Sequence, residues 1–307
     1  MPEQKNELQS LFSCIFAPNA SKQEVIDIFK KEKIDGWLCS PAPKYKIDND
    51  ILKHAKNLEI ISTPSTGTNH IIKEDCTENK IEVFSLKDTD FVKTIYASSE
   101  FAFSLILAVA RNLPQATQSV LAYQWREVED NYRGIELRNK KLGVIGFGRI
   151  GSNVANYAQA MGMKVFAYDP HSKIDEPYTS CKNIDAVLEV ADILLISVHL
   201  DEDTENMVDS EWFRKMKQGS YFVNISRGEI VNEEDLIQAL EDGQIKAAGL
   251  DVIRNELSNK IMESPIINYA KNNKNLIITP HMAGLTFDSE RKAADYSTNI
   301  LKSFLRQ

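Results

Sequence analysis

The chain has 307 residues, 43% of them hydrophobic and 26% charged, with a formal net charge of −8. At the usual ~150 residues per domain this length suggests two domains, and the composition is that of an ordinary globular protein. The acidic balance argues against a general nucleic-acid surface and against an anionic membrane, while leaving room for a local basic site that binds a small anion.

Cys14, Cys39, Cys76 and Cys181 stand far apart, with no CxxC pair and no Cys/His cluster, so no metal site is expected. Scattered single cysteines suit a reducing compartment. The opening MPEQKNELQS lacks the apolar stretch of a signal peptide, and the run FAFSLILAVA falls far short of the ~20 residues that span a bilayer. A cytoplasmic protein is the expectation.

In chain order, LFSCIFAP reads as a strand, and SKQEVIDIFKKEK as a helix opened by Ser21 as N-cap. GWLCS reads as a strand, DNDILKHAKN as a helix, and EIISTPS and IEVFSL as strands. A long helix starts near residue 96 and closes at Pro114, followed by a polar arm containing Trp125. The alternation then restarts: KLGVIGFG strand, RIGSNVANYAQAMG helix, KVFAYD strand, KNIDAVLEV helix, DILLISV strand, SEWFRKMKQ helix, SYFVNIS strand. Asn232 caps NEEDLIQALEDG, AAGLDV and NLIITP are the last strands, and FDSERKAADYSTNILKSFLRQ is one closing helix. Strands that are apolar on both faces and alternate with helices imply parallel sheets covered by helices. The expected class is therefore α/β, with two Rossmann-like or flavodoxin-like domains.

Gly146-Phe-Gly148-Arg-Ile-Gly151 is a GxGxxG placed between a strand and a helix. In that setting Gly146 permits the turn, Gly148 lets a pyrophosphate approach, and Gly151 lets helix pack on strand. The helix start adds unpaired N–H groups and partial positive charge. Asp169 ends the next strand, where an acid accepts hydrogen bonds from ribose hydroxyls and repels a 2′-phosphate. NAD is expected over NADP, with His171 nearby to soften the repulsion.

Three later strand ends carry ionisable groups: Arg227 in SYFVNISRG, Glu256 in GLDVIRNE and His281 in IITPHMAG. Open α/β sheets place ligands at such ends. Guanidinium is a planar, permanently charged match for a carboxylate. Histidine exchanges protons near neutrality, and an adjacent carboxylate fixes its tautomer and favours imidazolium. Taken singly, Arg227 also reads as a surface partner of Glu229, Glu256 as a solvated loop acid and His281 as a core histidine. His54, His70 and His171 read as structural or solvent-facing. Together with NAD, the trio describes hydride transfer at C2 of a 2-oxo or 2-hydroxy acid.

The residues GVIGFGRIG, Asp169, NISRGEIVNEEDL, AAGLDVIRNE and TPHMAG, in this order, make the chain resemble the D-isomer-specific 2-hydroxyacid dehydrogenases over nearly all its length. KTIYASSEFAFSLILAVARNL looks most like the phosphoglycerate dehydrogenase branch, here without a regulatory domain. The resemblance implies that Arg227, Glu256 and His281 are catalytic, that Asp251 faces the nicotinamide carboxamide, and that Arg149 and Ile150 lie against the pyrophosphate. It further implies cofactor contacts from His199, Ile225, Ser226, Gly284 and Ser98. In STGTNHI it implies a substrate loop whose amides near Thr66 and Gly67 hold the substrate carboxylate, alongside Arg227 and His281. It implies a substrate domain of residues 1–98 completed by 286–307, a nucleotide domain of 99–285, an active-site cleft between them, and a homodimer built on the Trp125 arm.

Some positions depart from the family pattern. Leu257 follows Glu256 where proline is frequent, Asp201 stands where proline usually follows a His-Leu pair, and SPAPKYK offers only Lys44 and Lys46 for a substrate phosphate. Glu256 disfavours a formate enzyme, in which glutamine replaces this glutamate. A NAD(H)-sensing, corepressor-like binding protein on the same fold is the alternative, since fold does not fix function.

Overall fold

The computed structural model describes residues 2–87, 89–256 and 261–306. It divides into two compact units, Met1–Ile95 with Leu285–Gln307, and Tyr96–Gly284. Residues 96–98, allotted above to the substrate domain, thus belong with the nucleotide unit, and Leu285 belongs with the other.

In the first unit, strands β1 (Gly36–Leu38), β2 (Ile60–Ser62) and β3 (Glu82–Phe84) form a parallel sheet in that order. The helix Lys22–Lys31 starts as read from sequence. The Ser21 hydroxyl accepts the Glu24 N–H, and the Glu24 carboxylate accepts the Ser21 N–H at 2.7 Å, a reciprocal cap. Its Val25 and Phe29 enter a core with Ile47, Ile51, Leu52, Ile61 and Cys76. The closing helix Phe287–Leu305 packs on β1 and β2, and the buried Ser62 hydroxyl donates to the Ser297 carbonyl.

LFSCIFAP is not a strand. The helix Pro2–Leu11 precedes it, and residues 12–17 run without a ladder partner among the described residues, with Ile15 and Phe16 about half exposed. A short apolar run carries no periodic signal of its own, so only a neighbouring strand decides whether it joins a sheet. The helix expected over DNDILKHAKN contracts to Asn49–Leu52, and an unexpected helix covers Lys73–Glu78.

The second unit holds β4 (Lys141–Ile145), β5 (Lys164–Tyr168), β6 (Thr179–Ser180), β7 (Ile193–Ile196), β8 (Ser220–Asn224), β9 (Ile245–Leu250) and β10 (Leu276–Ile278). They form one parallel sheet in the order β10-β9-β8-β7-β4-β5-β6. Strand side chains alternate between two cores. Leu194, Ile196 and Phe222 enter one, while Ile193, Leu195, Tyr221 and Val223 enter the other. Period-two alternation with both faces apolar is why helices cover both sides. Each fully buried large aliphatic or phenylalanine side chain contributes about 1.5–3 kcal/mol relative to exposure.

Pro114 does not simply end the long helix. Ala97–Ala110 stops first, and Pro114 sits in the opening turn of a further helix, Leu113–Leu121, where its missing N–H costs nothing. Helix Pro265–Asn272 and the short β6 were also not read from sequence. Strand order reverses between β4 and its neighbours β5 and β7, which places the binding crevice at the carboxyl end of β4.

Candidate active site

The glycine loop leaves β4 at that reversal and opens the helix Arg149–Ala160. Gly146 has φ +89°, and a Cβ there would lie 2.6 Å from the Ser197 carbonyl oxygen. A Cβ on Gly151 would lie 2.1 Å from the Gly146 carbonyl oxygen. Both positions are closed by backbone. At Gly148, by contrast, a Cβ would meet nothing within 4 Å. The absence of a side chain there serves no contact of the fold and leaves space above the first amides of the helix. Helix starts leave such N–H groups without intrahelical partners, so the loop fits a dinucleotide pyrophosphate. Arg149 and Ile150 lie in this first turn, both half-buried, and burial holds the Arg149 guanidinium below its ordinary pKa.

Asp169 follows β5 and ties the loop in place. One carboxylate oxygen accepts the Phe147 N–H at 2.7 Å, and the other accepts from the amides of His171 and Ser172 at 2.8 and 3.0 Å. Burial works against its ionisation, but the hydrogen bonds from His171, Phe147 and Ser172 outweigh it, and the pKa lies below the ordinary carboxylate value. The group stays anionic beside the glycine loop, the charge that favours ribose hydroxyls over a 2′-phosphate.

The trio is carried by three adjacent strands. In register, Asn224 of β8 pairs with Leu250 of β9, and Leu250 pairs with Ile278 of β10. Neighbouring strands lie about 4.8 Å apart, so the loops leaving these ends begin side by side. Asn224 clamps the first loop: its carbonyl side-chain oxygen accepts the Ser226 N–H at 2.9 Å and its amide donates to the Arg227 carbonyl at 2.9 Å. Ile225 and Ser226 are buried, and the Ser226 hydroxyl donates to the Ile196 carbonyl of β7. Arg227 donates to the Ser226 carbonyl at 2.6 Å, and among the described residues no carboxylate, Glu229 included, forms an ion pair with it.

Asp251 joins the second loop to the third. It is 1% exposed; one oxygen accepts from the Thr279 hydroxyl at 2.6 Å and the Met282 N–H at 3.0 Å, the other from the Ala283 N–H at 2.8 Å. Its own N–H donates to the Asn224 carbonyl, and its carbonyl accepts the His281 N–H. Asp251 is therefore a clamp on the histidine loop, a task the sequence did not disclose. His281 itself has φ +52°. That left-handed conformation is uncommon for a residue with a side chain, and strain of this kind persists where the surroundings impose it.

His281 Nδ1 lies 2.6 Å from Glu256 Oε1, with side-chain exposures of 45% and 22%. A carboxylate accepts only, so the proton of this bond sits on Nδ1, and Nε2 is the nitrogen free to exchange a proton. Asn255, at φ +55°, reverses the chain just before Glu256. Leu257 lies outside the described residues. Ser98 sits at the head of the helix Ala97–Ala110, with its hydroxyl oxygen 3.8 Å from where a Gly284 side chain would begin. His199 is exposed beyond β7, and its carbonyl accepts the Thr204 hydroxyl at 2.7 Å. Asp201, the departure from proline, organises that turn by accepting from Thr204 and Asp203.

In the first unit, Thr66 and Gly67 are half-buried, and among the described residues neither amide donates to a protein acceptor. The loop is held from beneath instead. The Ser65 hydroxyl donates to the Gly67 carbonyl at 2.7 Å, and the Ser65 carbonyl accepts the Leu86 N–H. The buried His70 contacts Thr63 and Cys39, and burial lowers its pKa, so it is a neutral structural group.

Comparison with known proteins adds two family matches: residues 103–283 match the D-isomer specific 2-hydroxyacid dehydrogenase NAD binding domain, and residues 1–92 match the catalytic domain of the same name. The chain is 32% identical over 296 residues to a D-3-phosphoglycerate dehydrogenase of Methanocaldococcus jannaschii, covering 94% of this chain and 53% of that protein. It is 30% identical over 308 residues to a hydroxypyruvate reductase of Blautia hydrogenotrophica, covering 97% and 91%. The chain thus spans about half the length of the phosphoglycerate dehydrogenases it matches. Among solved structures, a D-lactate dehydrogenase from Aquifex aeolicus complexed with NAD and lactic acid aligns with TM-score 0.80 at 27% identity, covering 99% of this chain and 92% of that one.

Proposed function

We propose that this chain, which belongs to the D-isomer specific 2-hydroxyacid dehydrogenase family, is an NAD-dependent enzyme interconverting a small 2-oxo acid and its D-2-hydroxy acid. The observation that carries the reading is the 2.6 Å contact of His281 with Glu256, on loops that begin beside the one bearing Arg227, which forms no ion pair with a carboxylate among the described residues. Gly146, Gly148, Arg149, Ile150 and Gly151 would receive the pyrophosphate, and Asp169 the adenosine ribose. His199, Ile225, Ser226, Asp251, Gly284 and Ser98 complete the proposed cofactor set. Bound there, NAD(H) supplies or accepts a hydride at nicotinamide C4.

The remaining work falls to the chain's own side chains. Arg227 holds the substrate carboxylate in its planar fork and stabilises negative charge developing on the C2 oxygen. His281 moves the proton between Nε2 and that oxygen, while Glu256 holds Nδ1 and stabilises the imidazolium. Substrates of the phosphoglycerate, hydroxypyruvate and glyoxylate type fit this chemistry, and relatives named for the first two are among the matches.

A homodimer and a cytoplasmic setting belong to the same reading. Leu121, Tyr123 and Trp125 are 70%, 97% and 66% exposed, an apolar arm that a second copy would cover. All four cysteines are free, as a reducing compartment keeps them. The test is NADH oxidation with glyoxylate, hydroxypyruvate, phosphohydroxypyruvate and pyruvate, run in parallel with NADPH. Turnover of at least one acid is expected, with NADH preferred. A protein that binds NADH yet oxidises it with none of them is a sensor rather than an enzyme. Sedimentation of wild type and Trp125→Ala tests the dimer.

A further inference from the structure

The loops carrying Arg227 and Glu256 touch through their backbones before any side chain meets. A Cβ on Gly228 would lie 1.9 Å from the Ile253 carbonyl carbon and 2.2 Å from the Arg254 nitrogen. Arg254, two residues before Glu256, then binds the opposite loop twice over. Its Nη1 donates to the Asn206 side-chain oxygen at 2.6 Å and to the carbonyls of Glu229 and Val231 at 3.1 and 3.2 Å. Its backbone N–H donates to Glu233 Oε1 at 2.7 Å. Glu233 is 8% exposed, at the start of the helix Glu233–Glu241 that follows the Arg227 loop. Burial pushes the Glu233 carboxyl up, and the Arg254 N–H and guanidinium oppose that rise. Asn206, at φ +54°, also donates its N–H to the Glu229 carbonyl. One guanidinium therefore gathers acceptors from two chain segments, and the backbone N–H of the same residue adds the Glu233 carboxylate.

We propose that Arg254 is a positioning residue that fixes the Arg227 loop to the Glu256 loop, so that guanidinium and carboxylate are presented to the reaction in one register. The inference deepens the dehydrogenase reading and rests on it. The guanidinium suits the task because its donors are rigidly spaced and its charge is permanent, so it bridges carbonyls that no flexible neutral side chain would hold together. Glu256 follows through the left-handed Asn255, so a slip of Arg254 is passed on to the contact with His281. Displacements of about 1 Å at a reacting group cost up to ~10²-fold in rate.

The test uses Arg254→Met, Arg254→Lys, Glu256→Gln and the double variant Arg254→Met/Glu256→Gln, all with NADH and the best 2-oxo acid. Arg254→Met is expected to lower kcat by about 10-fold or more, with KM for NADH close to wild type and partial recovery in Arg254→Lys. In the Glu256→Gln background the same substitution is expected to cost less than about 2-fold, because residues acting through one another are not additive. Hydrogen exchange read by mass spectrometry gives a measure independent of turnover. Protection in Arg254→Met should fall together in peptides covering 227–233 and 253–256. Additive losses in kcat, or exchange that changes in only one peptide or neither, overturn the proposal. If wild type turns over no 2-oxo acid, the function reading fails and the exchange result alone decides whether Arg254 joins the loops.

Discussion

Adding one methyl group to Gly148 or to Gly151 should separate binding from folding. At Gly151 the new carbon would sit 2.1 Å from the Gly146 carbonyl oxygen and 2.7 Å from Ser197 Oγ. Backbone must move, and overpacking of this kind costs about 1–3 kcal/mol or more. At Gly148 nothing lies within 4 Å, so the free protein should melt as wild type does. The methyl group of Gly148→Ala instead occupies the space proposed for the pyrophosphate. Losing one or two hydrogen bonds to a charged group, at about 1.5–3 kcal/mol each, weakens binding by roughly 10²-fold. The assay is thermal unfolding with and without NADH, plus fluorescence titration. NADH at 100 times its Kd stabilises wild type by about 2.7 kcal/mol, but Gly148→Ala at the same concentration by only about 0.4 kcal/mol. At roughly 2–4 °C per kcal/mol for a domain of this size, the difference is easily read. Wild-type NADH affinity in Gly148→Ala, or a lowered melting point without NADH, would refute the assignment of that space to the cofactor.

Other substitutions test the remaining parts. His281→Ala should lower kcat by about 10²–10⁴-fold with little change in NADH affinity, measured by steady-state kinetics. Glu256→Gln should cost about 10- to 10²-fold, between the water and protein-surface limits for a charge pair at this range. Arg227→Lys keeps the charge but loses the planar fork, so kcat/KM for the 2-oxo acid should still fall, and Arg227→Ala should lose about 10²-fold or more. Asp251→Ala leaves three donors of the histidine loop without their acceptor, at about 1–3 kcal/mol for each group left buried and unpaired, and urea unfolding should show that loss alongside lost activity. Asp169 has a folded pKa below its unfolded value. Its stabilisation is therefore present in full above about pH 3.9 and is lost as pH falls through the folded value. Urea midpoints of wild type and Asp169→Asn should differ at neutral pH and converge in acid, and the variant should discriminate less against NADPH.

Much of the nucleotide unit was legible because its signals are local. Alternating strands and helices, a glycine motif between them and an N-cap such as Asn232 each depend on residues a few positions apart. Arg227, Glu256 and His281 stood out for a related reason: each follows a parallel strand, and parallel sheets place all strand ends on one edge. The segments that depart from the sequence expectation are short. LFSCIFAP has the composition of a strand, yet a strand exists only when another supplies its hydrogen bonds. Pro114 suggests a stop, although proline is equally at home in the first turn of the next helix.

By itself, then, the sequence determined the α/β class, the glycine loop and the ionisable groups proposed for the reaction, because side-chain periodicity and backbone sterics act over one or two turns of chain. Only tertiary structure decided what holds those groups in place. Asp251, expected from the resemblance to face the cofactor, clamps the histidine loop through the amides of Met282 and Ala283. Arg254 binds carbonyls that lie close only after the sheet has formed. Hydrogen bonds between distant segments depend on three-dimensional proximity, which no local pattern encodes.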